Sequence, residues 1–580
     1  MILSCKYHRE PIGNAGKIRR SKWVKAIDLY AGVGGWALGL RMAGLEITDS
    51  YEWWRPAITT HEKNLRSTVH DCNIRELDLS TLPNGVDVVV GSPPCTQFSF
   101  SNRGGTGDIA DGLADIEKFL DIITYLRPRL WAMENVPRVK EILDTQLAAG
   151  EPLARFRNLK IKSMVLDMSE FGLPQRRRRC IAGNFDFELL LSYRHKCKSR
   201  SLGSVLKALA QDAAIDPIYG VSATKSEISD HNPEPSLNDE EERMNRESKM
   251  FHPVYNNMAF PDPKNSPVRT ITATCTRVSR ESIVIRSPER PKALRRLTVR
   301  ERASLQGFPV SYQFFGKSYA QKLKMVGNAI PPLMTFYIAQ AMQEISPEAI
   351  VVPTEGISRF QATDERPPVT NPDGEGQTYP ASRTFRAAIP NLRFKSGVRF
   401  EIANEFQRGK GISWHVRFYF GNSKDIRVCV LDKALLNKCK QQAISQARWG
   451  RLSGTLNKLS DLLDSVSGQM LQDVWSHRAG GFHPFTLVDA AGAAAADLIS
   501  EIEKLKLAST KVESLVLDVL GLGAKIGKNS GKPRGETSRK VRRFASPILA
   551  GFIVGATLNQ AFAEARPAAR KTPRQERLVA

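Results

Sequence analysis

Short apolar runs alternate with longer helical patterns in the first part of this chain, and this rhythm constrains its fold more than any other feature. Four runs have the length and apolar character of buried strands: 24–29, 86–90, 130–133 and 180–185. The segments between them, such as 35–42 and 116–126, have the spacing of helices. Repeated strand, helix, strand order predicts a parallel, doubly wound α/β sheet.

The charge of the chain indicates a polyanionic partner. Among its 580 residues, 84 are Lys or Arg and 60 are Asp or Glu, which leaves a net charge of +24. Nucleic acid is the first candidate, and a merely basic, soluble surface is the alternative. The charge is uneven, because residues 371–580 contain 33 basic and 18 acidic residues.

The eight cysteines are scattered and form no C-x-x-C pair. Neither a disulfide framework nor a structural zinc site is indicated, so we expect no metal and a reducing cytoplasm. The first 22 residues lack the apolar core of a signal peptide.

Composition divides the chain into two units. The rhythm stops at about residue 187, and 187–290 is polar and irregular before a helical pattern resumes at 297–306, as an inserted lobe would produce. A stretch at 346–389, rich in Pro, Gly, Thr and acidic residues, has the composition of a linker. Beyond it we expect a small α+β domain over 390–524 and a basic tail over 525–580.

Local patterns predict the elements of this second unit. Strands are expected at 398–402, 414–420 and 426–431, and helices at 434–448, 457–465 and 490–506. The apolar segment 544–562 contains several polar residues, so we interpret it as a buried or interfacial helix, with a membrane span as the alternative.

A glycine-rich turn follows the first predicted strand. Asp28-Leu-Tyr-Ala-Gly-Val-Gly-Gly places Gly32, Gly34 and Gly35 where a strand meets a helix N-terminus, a geometry that suits a bound ligand. Glu52 comes about 20 residues later, where a ribose-binding carboxylate belongs, and Trp53 offers a flat face for an adenine ring. The alternative is a tight turn packed on itself.

A cysteine follows two prolines at the end of the strand 86–90. Pro93 and Pro94 restrict the backbone before Cys95, as a rigidly aimed nucleophile requires. The alternative is a small apolar cysteine in a stiff loop. No histidine partner of the protease kind is placed near Cys95 in the sequence, so activation would come from the substrate or from cations.

Cations and a carboxylate are available at neighbouring strand ends. On an extended segment, Gln175, Arg177 and Arg179 share one face, and Arg suits contacts with phosphate and carbonyl oxygens. Glu134 ends the strand 130–133 and could be held protonated as a hydrogen-bond donor, or form a salt bridge to one of the arginines.

The order of these motifs resembles that of the DNA (cytosine-5) methyltransferases. Six blocks occur in the family order: Asp-x-Tyr-Ala-Gly-x-Gly-Gly, Pro-Pro-Cys, Glu-Asn-Val, Gln-x-Arg-x-Arg, Arg-Glu-Arg-Ala-Ser-Leu-Gln-Gly-Phe-Pro and Val-Gly-Asn-Ala-Ile-Pro-Pro. The resemblance covers about residues 23–338. It implies a doubly wound mixed sheet of the Rossmann-like, S-adenosyl-L-methionine-dependent kind, with an inserted target-recognition lobe, and it says nothing about the expected C-terminal α+β domain.

The resemblance also implies a reaction and the residues that perform it. Cys95 would add to carbon 6 of a cytosine flipped out of double-stranded DNA, and Glu134 would bind its exocyclic amine and support protonation of ring nitrogen 3. Arg179 would hold the ring carbonyl, with Arg177 and Gln175 ordering the site. The residues at or beside the family's cofactor positions are Asp28, Tyr30, Gly32, Gly34, Gly35, Glu52, Trp53, Asn73, Ile74, Pro93 and Asn328.

Three departures from the family pattern stand out. Tyr30 replaces a phenylalanine, and Asn73-Ile74 replaces an Asp-Ile pair, although Asp71 could serve instead. Thr96-Gln97 replaces the residues that usually follow the cysteine.

The resemblance gives roles to the segments of the chain. After an N-terminal extension over 1–22, we expect the catalytic domain at 23–186 and 291–345, with target recognition at 187–290. Expected partners are double-stranded DNA and a cognate restriction endonuclease, with the protein a cytoplasmic, nucleoid-associated monomer. Two alternatives are a transfer-RNA cytosine-5 methyltransferase and a DNA-binding protein whose main activity lies in the C-terminal unit.

Overall fold

The computed structural model describes ten segments of the chain: 25–94, 109–251, 257–374, 378–394, 398–409, 411–422, 425–442, 444–505, 509–522 and 541–564. The chain forms two compact units. Unit 1 consists of Met1–Leu237 and Pro261–Asp373, and unit 2 of Asn238–Phe260 and Gly374–Ala580. A short stretch inside the segment 187–290 therefore belongs to unit 2.

Unit 1 is built on a seven-stranded mixed sheet with the order β3-β2-β1-β4-β5-β8-β6. The strands of unit 1 are β1 Lys25–Leu29, β2 Glu46–Glu52, β3 Val69–Asp71, β4 Val88–Gly91, β5 Leu130–Asn135, β6 Lys162–Asp167, β7 Gln175–Arg176, β8 Arg178–Gly183, β9 Ala213–Ile215, β10 Ser222–Thr224, β11 Val268–Arg269, β12 Val284–Arg286 and β13 Leu294–Arg296. From β3 to β5 neighbouring strands are parallel, whereas β8 is antiparallel to both β5 and β6.

The doubly wound α/β class is confirmed, and so is the mixed sheet that the family resemblance implies. The strand–helix rhythm predicted only parallel neighbours. Between β6 and β8 the chain has no room for the crossover helix that parallel neighbours need, so the two strands run in opposite directions.

Helices cover both faces of this sheet. The helices of the first 373 residues are α1 Gly35–Met42, α2 Arg55–Leu65, α3 Ile109–Leu126, α4 Arg138–Gln146, α5 Phe187–Ser192, α6 Leu202–Leu209, α7 Asp239–Met250, α8 Val299–Leu305, α9 Tyr319–Asn328, α10 Pro332–Met342 and α11 Pro353–Gly356. All except α7 belong to unit 1.

The central strands are buried on both faces, which explains their continuous apolar sequences. In β1, Ala26 belongs to the hydrophobic cluster on one face of the sheet and Ile27 to the cluster on the other. Val88 and Val89 of β4 divide in the same way. Burial on both faces therefore holds β1 and β4 in the middle of the unit.

Unit 2 has an antiparallel sheet of four strands in the order β14-β15-β16-β17. These strands are β14 Arg386–Arg393, β15 Arg399–Gln407, β16 Gly411–Asn422 and β17 Asp425–Val430. The helices that follow are α12 Lys433–Gln442, α13 Gln446–Gly454, α14 Asn457–Leu463, α15 Gly468–Trp475, α16 Pro484–Lys504, α17 Ser509–Val519 and α18 Ala545–Glu564. The predicted α+β class is confirmed, although the helix expected at 434–448 is two helices, α12 and α13.

The segment 525–580, expected as a basic tail, contains the core helix α18. A side chain in place of Gly551 would collide with the Phe400 ring at 2.3 Å, so this helix lies directly against the sheet of unit 2. Among the described helices, α18 is the one that is long and apolar enough to cross a membrane, and most of that stretch is buried within the unit. Its apolar sequence thus reflects packing on all sides.

The helix α7 packs in unit 2 through charged side chains. Its N-terminus is closed by a capping box, in which Asn238 accepts from the Glu241 amide at 2.9 Å and Glu241 accepts from the Asn238 amide at 3.1 Å. Four acidic residues occupy the first turn, where the helix dipole favours negative charge. The acidic stretch within 187–290 is therefore a helix of unit 2.

Candidate active site

The predicted site residues lie near the point where the strand order of the sheet reverses, between β1 and β4. The chain moves from β1 to β2 on one side and later to β4 on the other, so a crevice opens at the carboxyl ends of these strands. Tyr30, Glu52, Pro93 and Glu134 all lie at or just beyond such strand ends. The topology therefore brings these predicted site residues to one edge of the sheet.

The glycine turn after β1 needs its glycines for steric reasons. Gly32 and Gly34 have φ of 54° and 85°, in the left-handed region that side chains disfavour. A Cβ on Gly35 would stand 2.3 Å from the carbonyl oxygen of Ile330. Among the described residues, no atom lies within 4 Å of a Cβ built on Gly32. The turn is thus packed tightly at Gly35 and open at Gly32.

Glu52 holds this turn in place. One carboxylate oxygen accepts from the Gly32 amide at 2.9 Å, and the other accepts from the amides of Trp53 and Trp54 at 2.9 and 2.8 Å. A carboxylate has about four acceptor positions, so one remains for a hydroxyl such as that of a ribose. The Trp53 ring beside it is 68% exposed, which leaves a flat aromatic face free to stack.

Asp28 differs from the other predicted cofactor residues because it is fully buried. Burial first, and then the charge of Glu52, raise the pKa of its carboxyl well above the usual range. A group in this position is enclosed by the protein and presents no carboxylate to solvent.

The Asn73-Ile74 pair forms a short turn of 3-10 helix over Ile74–Glu76. Asn73 caps it by accepting from the Arg75 amide at 3.2 Å, and its side-chain amide donates to Glu76 at 2.7 Å. Ile74 is buried against the apolar residues of α3. The alternative acid, Asp71, forms an ion pair with Arg55 at 2.5 Å.

The backbone before the predicted nucleophile is held by a residue that the sequence reasoning missed. The side-chain amide of Asn135 donates to the Pro93 carbonyl at 3.1 Å, and its oxygen accepts from the Val136 amide at 2.8 Å. Asn135 is 2% exposed and comes directly after Glu134 at the strand end, which was the available signal. Cys95 itself lies outside the described residues.

Glu134 and Arg179 form an ion pair across adjacent strands β5 and β8. Arg179 Nε lies 2.9 Å from Glu134 Oε1, and the two side chains are 15% and 8% exposed. Of the two interpretations of Glu134, the salt bridge is the one found. A guanidinium and a carboxylate side by side present both donors and acceptors to a planar ring with an amine, a ring nitrogen and a carbonyl.

Gln175 and Arg177 do not reach this pair. Arg177 is buried and donates to the carbonyls of Ile271, Gly327 and Ala329 at 3.1 to 3.2 Å. Gln175 is buried and accepts from the Ile271 amide at 2.8 Å. Arg177 therefore joins Ile271 to the loop after α9, whereas Gln175 joins Ile271 to the end of α8 through the Leu305 carbonyl.

Asn328 is exposed at the end of α9. It lies two residues before Ile330, whose carbonyl presses against Gly35, so the loop after α9 runs beside the glycine turn. Across the ten described segments, no group of three or more His, Cys, Asp or Glu side chains is placed to hold a metal ion.

Comparison with known proteins identifies the family of this chain. A sequence model of the C-5 cytosine-specific DNA methylase family matches residues 24–344, more than half of the chain. The chain therefore belongs to this family, and it is a DNA (cytosine-5) methyltransferase.

Individual relatives match a little more than half of the chain. Type II methyltransferase M.HgiDI of Herpetosiphon aurantiacus is 28% identical over 332 residues, which is 55% of this chain and 94% of the relative. Type II methyltransferase M.HindV of Haemophilus influenzae is 26% identical over 344 residues, 56% of this chain and 99% of the relative. Among solved structures, the Entamoeba histolytica methyltransferase EhMeth is 17% identical over 56% of this chain and 99% of that one, with a TM-score of 0.41.

Proposed function

We propose that this protein methylates carbon 5 of cytosine in double-stranded DNA with S-adenosyl-L-methionine, through a covalent adduct to a flipped base. The observation that carries the proposal is the Glu134–Arg179 pair at the strand ends, next to the Pro93 that precedes Cys95. A planar ring in this crevice would meet an acceptor and a donor, and Cys95, which follows Pro93 and Pro94 in the sequence, would supply the nucleophile. A base inside the duplex is out of reach, so it must leave the stack.

Cys95, Glu134 and Arg179 have separate roles in the proposed reaction. The Cys95 thiolate adds to carbon 6 of the base, and the electron pair of the double bond moves toward carbon 5. Glu134 and Arg179 bind the polar edge of the ring and stabilise this charge. After methyl transfer, a base removes the carbon-5 proton, the ring double bond reforms and the Cys95 thiolate leaves.

The open turn at Gly32, the remaining acceptor position of Glu52 and the exposed Trp53 ring fit a nucleoside cofactor. S-adenosyl-L-methionine, when bound there, supplies the methyl group on its sulfonium. Glu52 would hold the ribose, Trp53 and Ile74 the adenine, and Tyr30, Gly34, Pro93 and Asn328 the rest of the molecule.

The names of the relatives, which are type II methyltransferases, support a proposal for the cellular role. We assign the protein to a restriction-modification system with a cognate endonuclease, acting as a monomer on DNA in the cytoplasm. The segment 187–290, apart from the stretch that belongs to unit 2, would read the target sequence.

The test is methyl transfer from labelled S-adenosyl-L-methionine to double-stranded DNA, with transfer RNA as a parallel substrate. We expect Cys95→Ala to lower transfer at least about a thousandfold while it still binds the cofactor. Cys429→Ala, in unit 2, is the control and should keep full activity. Bisulfite sequencing of DNA from cells that express the protein would give the target site. Activity in Cys95→Ala would refute the covalent route, and transfer to RNA alone would refute the DNA substrate.

A further inference from the structure

A network of charged side chains connects the segments that surround the proposed cofactor site. The Arg75 guanidinium donates two parallel hydrogen bonds to the Asp115 carboxylate, from Nε to Oδ1 at 2.9 Å and from Nη2 to Oδ2 at 2.7 Å. It also reaches Asp111, through Nη1 to Oδ1 at 2.7 Å and Nη2 to the carbonyl oxygen at 2.8 Å. Such forked contacts fix direction as well as distance. Arg75 therefore fastens the 3-10 turn to the first two turns of α3.

The same Asp115 also lies against Tyr30. The Tyr30 hydroxyl is 3.3 Å from both Asp115 Oδ1 and the Asp115 carbonyl oxygen. Tyr30 has a φ of 54°, a conformation that bulky residues adopt only where the surrounding structure enforces it. Burial first, and then the charge of Asp115, raise the pKa of Tyr30, so the hydroxyl keeps its proton and can donate it.

Both ends of this network carry residues expected to touch the cofactor. On one side, Arg75 follows Asn73 and Ile74 directly, and its backbone amide donates to the Asn73 cap. On the other side, Tyr30 precedes the glycine turn. Asp115 stands between the two, with its side chain 8% exposed.

We propose that Arg75 and Asp115 are positioning residues for the cofactor: they fix the Tyr30 ring and the Asn73-Ile74 turn at the correct separation without touching the cofactor themselves. The inference rests on the proposed function, since it concerns the same site. It explains why a tyrosine stands at position 30, because a phenylalanine would have no hydroxyl to place on Asp115.

A matched ion pair on the same helix provides the control. Asp121 of α3 binds Arg155 with two contacts, at 3.1 and 2.9 Å, but these side chains are 39% and 56% exposed. Exposed pairs contribute little, whereas a forked pair on a nearly buried carboxylate keeps its geometry. Asp115→Asn and Asp121→Asn therefore make the same chemical change with different expected results.

The experiment measures the affinity of the full-length protein for S-adenosyl-L-methionine by calorimetry, together with steady-state kinetics on DNA. We expect Asp115→Asn and Arg75→Lys to raise Kd and KM for the cofactor about tenfold, with kcat at saturating cofactor and KM for DNA within about twofold. Asp121→Asn should leave all four values unchanged. Tyr30→Phe, which removes one hydroxyl, should raise Kd about twofold to threefold.

Each outcome has a distinct meaning. If the wild-type protein binds no S-adenosyl-L-methionine, the proposed function fails. If the wild type binds it and a folded Asp115→Asn variant binds it equally well, the positioning role is refuted while the proposed function stands. A fall in kcat with an unchanged cofactor KM also overturns the inference, because positioning acts on cofactor binding. If Asp115→Asn does not fold, the Kd of Tyr30→Phe for the cofactor tests the positioning role, and an unchanged Kd refutes it.

Discussion

The Glu240 carboxylate on α7 contacts three side chains in the rest of unit 2. One carboxylate oxygen lies 3.1 Å from His477 Nε2 and 3.0 Å from His483 Nε2, and the other accepts from Arg383 Nη2 at 3.0 Å. Arg383 stacks between two aromatic rings, with its guanidinium carbon 3.7 and 3.8 Å from the centroids of Tyr379 and Trp475. We predict that Glu240→Gln loosens α7 from unit 2.

The magnitude follows from the surroundings of the carboxylate. Burial alone would raise the pKa of Glu240, but the hydrogen bonds from His483 and His477 and the charge of Arg383 outweigh it and lower the pKa from 4.5 to about 2. Each pKa unit corresponds to about 1.4 kcal/mol, so the ionised group stabilises the folded state by about 3 kcal/mol at most. Solvent screening at a side chain that is 14% exposed reduces this, and we expect a loss of about 2 kcal/mol.

The assay must report on α7 itself, because a chain of two units has no single unfolding free energy. Hydrogen exchange of peptides from residues 239–250 is suitable, and a loss of about 2 kcal/mol predicts exchange about thirtyfold faster. The control is Glu405→Gln, which removes an exposed partner of Arg417 in the same unit. We expect it to cost less than about 0.5 kcal/mol. Equal exchange of α7 in both variants would refute this reasoning.

The pH dependence gives a second check on the same group. A carboxyl whose pKa is lowered by folding contributes its full stability above its unfolded pKa of about 4.5 and loses it as the pH falls toward 2. Protection of α7 in the wild type should therefore decline between about pH 4.5 and pH 2. In Glu240→Gln this part of the decline should be absent, and its persistence would mean that another group titrates.

Two further predictions concern packing and DNA binding. Gly35→Ala should lower the protection of α1 peptides against hydrogen exchange by about 2 kcal/mol, because its Cβ would meet the Ile330 carbonyl. Gly450→Ala, with no described atom within 4 Å of its Cβ, should leave the exchange of α13 peptides unchanged or slightly slower. Removing residues 565–580, which carry five basic residues and leave α18 intact, should reduce the slope of log affinity for DNA against log salt by about 1 to 4. An unchanged slope would show that these residues bind no phosphate groups of the DNA.

Much of the fold and of the site could be predicted from local sequence. The apolar runs of β1 and β4 and the helix α1 are visible because burial on both faces and helical spacing leave periodic patterns. Glu134 and the glycine turn could be predicted as site residues because each lies at the end of an apolar run, and the ends of these strands meet at one edge of the sheet. The ion pair of Glu134 with Arg179 was one of two alternatives, and only the pairing of β5 with β8 selected it.

The sequence by itself determined the family, the alternation of strands and helices, and the residue types available for catalysis, because these depend on neighbours within a few positions. The tertiary structure alone decided which distant residues share an environment. It placed the acidic helix α7 beside Arg383 in unit 2, buried Gln175 and Arg177 behind the site, and made α18 a core helix. It also brought Arg75 to Asp115, 40 residues away in sequence. Such pairings leave no local pattern, because their energy comes from contacts that exist only once the chain has folded.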